Sequence, residues 1–117
     1  MKNNFFADCL TDKERTFLRQ ATDFCRAEVL PHYERWEKEE NLPREVFTEA
    51  GQLGFLGMTI PTRLGGQGMS HAAYALVIKE IAQHHAALAL DIAAHNGLCV
   101  GHILSAGSEA QDRKSVV

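Results

Sequence analysis

The chain has 117 residues, 45% hydrophobic and 23% charged, an ordinary composition for one small globular domain with a single core. A net charge of −3 and a pI near 6.0 argue against nucleic acid, whose phosphates require a clustered basic surface that the sequence does not show. Cys9, Cys25 and Cys99 are odd in number and far apart, with no C-x-x-C pair for zinc or dithiol chemistry. Reduced thiols are expected, with Cys25 and Cys99 serving as small core hydrophobes.

At the start, Met1 to Asp8 lead into charge rather than into an apolar core of signal-peptide length, so a cytoplasmic location is expected. Thr11-Asp12-Lys13-Glu14 fits a capping box, in which the Thr11 hydroxyl and the Glu14 carboxylate satisfy each other's backbone amides. The helix that follows carries Phe17, Leu18, Ala21, Phe24, Cys25 and Val29 at helical spacing. Pro31 breaks or kinks it, and Tyr33 to Glu40 continues as a charged turn or two anchored by Trp36, with Glu34 and Lys38 in the favourable i,i+4 order.

Pro43 suits the first position of a second helix through Val46, Phe47, Ala50 and Leu53, closed by Gly54 in the left-handed conformation. A corner follows from Leu56 to Gly68. There Pro61 biases Ile60 toward extended backbone, and Gly65, Gly66 and Gly68 permit conformations a Cβ would resist. Met58 to Pro61 is the one stretch expected to be extended. Ser70 caps a third helix with Tyr74, Val77, Ile78, Ile81 and Ala82 on one stripe, and His84-His85 marks its end.

A further helix covers about Ala87 to Leu104. Its most apolar part, Ala86 to Leu104, nearly has the length of a membrane span but contains Asp91, His95, Asn96 and His102. A central Asp costs about 2.5–3.5 kcal/mol on insertion, so a buried helix of a soluble domain is expected. Gly107 closes it, and Ser108-Glu109-Ala110-Gln111 is a second capping-box pattern. Residues 1–50 carry 8 Lys+Arg and 11 Asp+Glu, whereas residues 64–108 carry only Lys79, Glu80 and Asp91, which places the second half inside. The fold class is all-α, a bundle of four to five helices with a Gly/Pro-rich corner, in one domain over residues 1–117.

Two constellations are candidates for chemistry. Gly65-Gly66-Gln67-Gly68 suggests a phosphate loop, but lacks G-x-G-x-x-G spacing, a following Gly-Lys-Ser/Thr and a preceding buried strand; a tight connection between helices is the plainer reading. Asp91, His95, Cys99 and His102 fall at i, i+4, i+8 and i+11, roughly one helix face. One turn rises about 5.4 Å and metal–ligand bonds are near 2 Å, so His95 with Asp91 or Cys99 is the most that could share one ion. A polar stripe lining a cavity or meeting a partner domain accounts for the same pattern. No nucleophile elbow or catalytic triad is present, and Glu37, Glu39 and Glu40 read as a solvated charge run.

Taken in order, Phe24-Cys25-Arg26-Ala27-Glu28-Val29-Leu30-Pro31, Leu42-Pro43, Leu53-Gly54-Phe55-Leu56-Gly57, Ile60-Pro61, Gly65-Gly66-Gln67-Gly68, Lys79-Glu80-Ile81-Ala82, Ala94-His95-Asn96-Gly97-Leu98 and Gly101-His102-Ile103-Leu104 resemble the N-terminal helical domain of acyl-CoA dehydrogenases, the short-chain or butyryl-type members most closely. Ala106-Gly107-Ser108-Glu109-Ala110-Gln111 extends the likeness over nearly the whole chain.

The resemblance implies an FAD enzyme that desaturates an acyl-CoA thioester between its α and β carbons. A carboxylate base takes the α proton, FAD accepts hydride from the β carbon, and an electron-transfer flavoprotein or similar acceptor reoxidises the flavin. It implies a homo-oligomer in the full-length family, and a substrate cavity wall here formed by Asp91, Ala94, His95 and Leu98. The family's catalytic glutamate and most flavin contacts lie in β and C-terminal helical domains. After Gln111 the family continues through a Lys-rich turn into Tyr-Leu-Pro, whereas this sequence closes with Asp112 to Val117. The expectation is a fragment without catalytic residues, metal or retained FAD. Outside the resemblance, a metal-binding bundle and a non-catalytic interaction module are the alternatives.

Overall fold

The computed structural model describes residues 8–115, and among these the architecture is helical throughout, with no β-strand. The α-helices are α1 (Asp12–Phe24), α2 (Tyr33–Glu39), α3 (Arg44–Gln52), α4 (His71–His84), α5 (Ala86–Ala94), α6 (Gly101–Ala106) and α7 (Glu109–Ser115). A π turn (Cys25–Val29) and a 3₁₀ turn (Leu30–His32) join α1 to α2, and a second π turn (His95–Val100) joins α5 to α6. The described segments therefore form five continuous helical runs, within the four to five expected.

The expected start signals act where they were read. The Thr11 hydroxyl accepts the Glu14 amide at 3.1 Å while Glu14 Oε1 accepts the Thr11 amide at 3.1 Å, completing the capping box. Ser70 accepts the Ala73 amide, and Ser108 and Gln111 exchange the reciprocal pair ahead of α7. Pro43 is the cap of α3 rather than its first residue, so the helix starts one residue later than expected. Pro31 sits in the 3₁₀ turn, so the helix is re-registered there rather than ended. His84 Nδ1 meets the Glu80 carbonyl at 2.9 Å, the expected helix-end contact, but His85 begins the next helix: its Nδ1 accepts the Leu88 amide at 3.1 Å.

The main core is the meeting of α1, α4 and α5 around Phe55. Phe55 is fully buried, with the Phe17 ring edge-on at 5.1 Å and the Phe24 ring tilted at 5.5 Å. Ala21, Val77, Ile81, Leu88 and Ile92 close around it, and Trp36 is buried as expected, with its ring 5.9 Å from His85. A satellite cluster of Ile60, Leu64 and Val100 lies where the corner meets the second π turn.

One expectation is reversed. The apolar run is continuous helix from Ala86 to Ala106, long and apolar enough by composition to cross a membrane, yet only 28% of its most apolar stretch is buried. The molecule measures 40 × 36 × 19 Å, about two helix diameters thick in its shortest direction. Two layers cover one side of this run and leave the other bare. Leu90 and Leu98 are accordingly 69% and 70% exposed, and Cys99, expected in the core, is exposed as well. Leu53, expected on the packed face of α3, lies one residue past its end and is also exposed.

Candidate functional site

The corner is built almost entirely from its own backbone. Met69 N donates to Met58 O at 2.8 Å, Gly68 N to Ile60 O at 2.9 Å and Gln67 N to Gly57 O at 3.0 Å, so the Met58 to Pro61 stretch is paired without becoming a strand. Leu64 N and Gly66 N both donate to Pro61 O, and Gly65 N donates to Thr62 O. Ser70 N is taken by Glu14 Oε2 at 2.9 Å. Every amide from Leu64 to Ser70 thus has an internal acceptor, and a phosphate would find no N–H pointing at it. The phosphate-loop reading falls on this geometry. The glycines serve shape: Gly65 sits at φ 93°, and a Cβ on Gly66 would lie 2.2 Å from the Ile60 carbonyl oxygen.

The hydrogen bonds that fasten the corner to the second π turn come from Asn96. Asn96 is 3% exposed; its Oδ1 accepts the Met58 amide at 2.9 Å, and its Nδ2 donates to Phe55 O at 2.8 Å and to Ile92 O at 2.9 Å. Both amide protons and the carbonyl oxygen of this buried group are used, which removes the penalty of burying it. The wide turn is what brings it there. Leu88, Ile92, Asn96 and Val100 are all buried at intervals of four. In a regular helix, each four-residue step overshoots a full turn by about 40°, and three steps would carry Val100 off the packed face. The π turn absorbs the drift, keeping Asn96 against the corner and Val100 against Ile60 and Leu64.

Of the expected wall residues, Asp91 and Leu98 are exposed while Ala94 and His95 are half-buried, all on the run from α5 into the π turn. Asp91 also borders an open cleft of about 440 Å³ between α2 and α5, lined by Trp36, Phe47 and His85. Helix α5 is tied to α4 by Tyr74, whose hydroxyl donates to Ala93 O at 3.3 Å; burial pushes that phenol upward from its ordinary pKa and keeps it a donor.

Among the described residues no group of three or more His, Cys, Asp or Glu side chains is placed to hold a metal ion, so the metal-binding alternative has no support. His102 Nδ1 is engaged by the Leu98 carbonyl. Cys25 is fully buried, and burial, with a smaller contribution from Glu80, pushes its thiol up to about 12, as suits the inert core residue expected.

In the sequence Asn96 stands out as a polar interruption of an apolar run and as part of the family motif, with no structural role assigned to it. Its signal was the strict four-residue interval Leu88, Ile92, Asn96, Val100, which a regular helix could not bury and a widened one could.

The comparisons agree with this architecture. The family model for the acyl-CoA dehydrogenase N-terminal domain matches residues 11–116. Isobutyryl-CoA dehydrogenase, mitochondrial, from Dictyostelium discoideum is 35% identical over 105 residues, covering 90% of this chain and 25% of the relative. The structure of butyryl-CoA dehydrogenase from Megasphaera elsdenii superposes with a TM-score of 0.80 at 29% identity, over 97% of this chain and 29% of that one. A chain from the structural work on the electron transferring flavoprotein of Acidaminococcus fermentans superposes at 0.84 with 25% identity, over 99% of this chain and 29% of that one. The chain spans about a quarter of the length of the curated relative it matches. The capped helices, the closed corner and the family match across residues 11–116 lead to one conclusion: this chain belongs to the acyl-CoA dehydrogenase family, as its N-terminal helical domain.

Proposed function

We propose that the chain contributes one wall of the acyl pocket of an FAD-dependent acyl-CoA dehydrogenase, an enzyme that forms an α,β double bond in an acyl-CoA thioester. The observation that carries this is the bare side of Ala86–Ala106: the most apolar helix of a family-matched domain leaves Leu90 and Leu98 more than two-thirds exposed. An apolar helix with one side uncovered suits a surface completed by further protein or by an acyl chain. Leu98 and Ala94 would exclude water and limit the space for the acyl chain, while Asp91 and His95 supply its polar margin.

In the family, FAD when bound supplies the hydride acceptor, and an electron-transfer flavoprotein or similar protein takes the electrons onward. The residues present do not fit a flavin cradle. The glycine corner, which would be the natural place for a pyrophosphate, has its amides fully used, and we assign no flavin contact to this chain. Base and flavin surfaces then belong to the β and C-terminal domains that make up the remaining length of such enzymes.

The test is a graft in which residues 11–116 replace the matched segment of Megasphaera elsdenii butyryl-CoA dehydrogenase. The graft is expected to load FAD and reduce a dye in the presence of butyryl-CoA, while the 117-residue chain with added FAD is expected to do neither. A folded, flavin-loaded graft without turnover, or robust turnover by the chain alone, overturns the proposal.

A further inference from the structure

Asn96 makes no contact with the bare side of the helix, yet it fixes which residues appear there. Its three bonds reach three separate places: Phe55 beyond the end of α3, Met58 in the corner, and Ile92 in α5. The bond to Ile92 lies one turn before the widened segment, and the other two anchor that segment to backbone that cannot easily follow it. Met58 is itself held by the Met69 amide, and Gly66 leaves no room for the corner to shift against Ile60.

A helix relaxing from π to α geometry advances its downstream residues by about 100° for each residue of register gained. Loss of the Asn96 anchor would therefore rotate Leu98, Cys99 and everything after them relative to Asp91 and Ala94. The wide turn holds Asn96 and Val100 together on the packed side, and Leu98, two residues from each, faces the other way and is 70% exposed.

We propose that Asn96 is the positioning residue of the acyl wall: by locking the His95–Val100 π turn to the corner it orients His95 and Leu98, and so sets acyl-chain selectivity without touching substrate. The selectivity half of this inference rests on the acyl-wall reading above; the structural half does not.

Two variants separate the halves. Asn96→Leu removes all three hydrogen bonds, whereas Asn96→Asp keeps an acceptor for the Met58 amide and loses both donors. On the 117-residue chain, amide hydrogen exchange read by NMR is expected to accelerate at least tenfold at Met58 and across 95–100 in Asn96→Leu, with the amides of α1 and α4 unchanged. Asn96→Asp is expected to restore protection at Met58 alone. Unchanged exchange at Met58 and across 95–100 in a folded Asn96→Leu variant overturns the anchoring role, and so does loss of protection spread evenly over α1 and α4.

In the active graft, Asn96→Asp is expected to change the ratio of kcat/KM for butyryl-CoA to that for isobutyryl-CoA at least fivefold, chiefly through KM. An equal loss on both thioesters with the ratio unchanged overturns the selectivity role. If the unsubstituted graft folds and loads flavin but does not turn over, the acyl-wall reading and the selectivity half fall together, and the exchange data still decide the anchor.

Discussion

Glu14 and Ser70 cap each other's surroundings across 56 residues of sequence: one oxygen of the Glu14 carboxylate accepts the Thr11 amide, and the other accepts the Ser70 amide at 2.9 Å. A capping box that should concern one helix thus also closes the start of another. The carboxylate is held below its ordinary pKa, chiefly by the Ser70 amide and also by Thr11, against the opposing effect of its own burial. Since the folded pKa is depressed, the stabilisation is fully present above the unfolded value, near 4.5, and is lost as pH falls through the folded value.

Glu14→Gln is therefore expected to lower unfolding free energy by about 1–3 kcal/mol at pH 7. The gap from wild type should narrow as pH drops below the ordinary carboxylate range. Urea unfolding at a series of pH values measures it, and a gap constant down to acid pH would assign the loss to packing instead.

Gly66→Ala should be among the most damaging small changes in the chain. The added Cβ would sit 2.2 Å from the Ile60 carbonyl oxygen and 2.5 Å from its Cβ, so backbone must move, at the upper end of the roughly 1–3 kcal/mol typical of overpacking. Gly97→Ala is the matched control, because nothing lies within 4 Å of its Cβ position and its backbone is helical. There a gain of about 0.4–1 kcal/mol is expected from reduced freedom of the unfolded chain. Thermal melts of the pair test the corner directly, and equal effects would refute it.

Thiol labelling should count two reactive cysteines in the native chain. Cys9 and Cys99 are exposed, while Cys25 is buried with its thiol pushed up to about 12. With a disulfide reagent at pH 8, two equivalents should react promptly and the third only on unfolding. Prompt reaction of all three would mean that the α1 core opens far more readily than its packing suggests.

Leu90 and Leu98 offer a test of the bare helix side. Replacing both by Glu should reduce binding of a hydrophobic dye and any self-association of the chain, while changing stability by no more than about 0.5 kcal/mol per site. Sedimentation and dye fluorescence report the first effect and urea unfolding the second. A large loss of stability would show that these side chains are packed after all.

What the sequence determined by itself was local. As helix caps, Thr11 with Glu14, Ser70, Ser108 with Gln111, and Gly54 at φ 93° act within a few residues of chain, so these capping roles follow from residue type and spacing, whereas the bond from Ser70 to Glu14 does not. The family likeness rested on the same kind of ordered local pattern, which is why the domain could be recognised before its packing was known.

Only the tertiary structure decided the rest. The apolar run from Ala86 looked interior because burial was inferred from composition, yet a domain two helices thick can cover only one side of it. Asn96 looked like an interruption because the two partners that justify its burial from outside its own helix, Phe55 and Met58, lie 41 and 38 residues away. A buried amide is explained by where its hydrogen bonds end, and those ends come together only when the chain has folded.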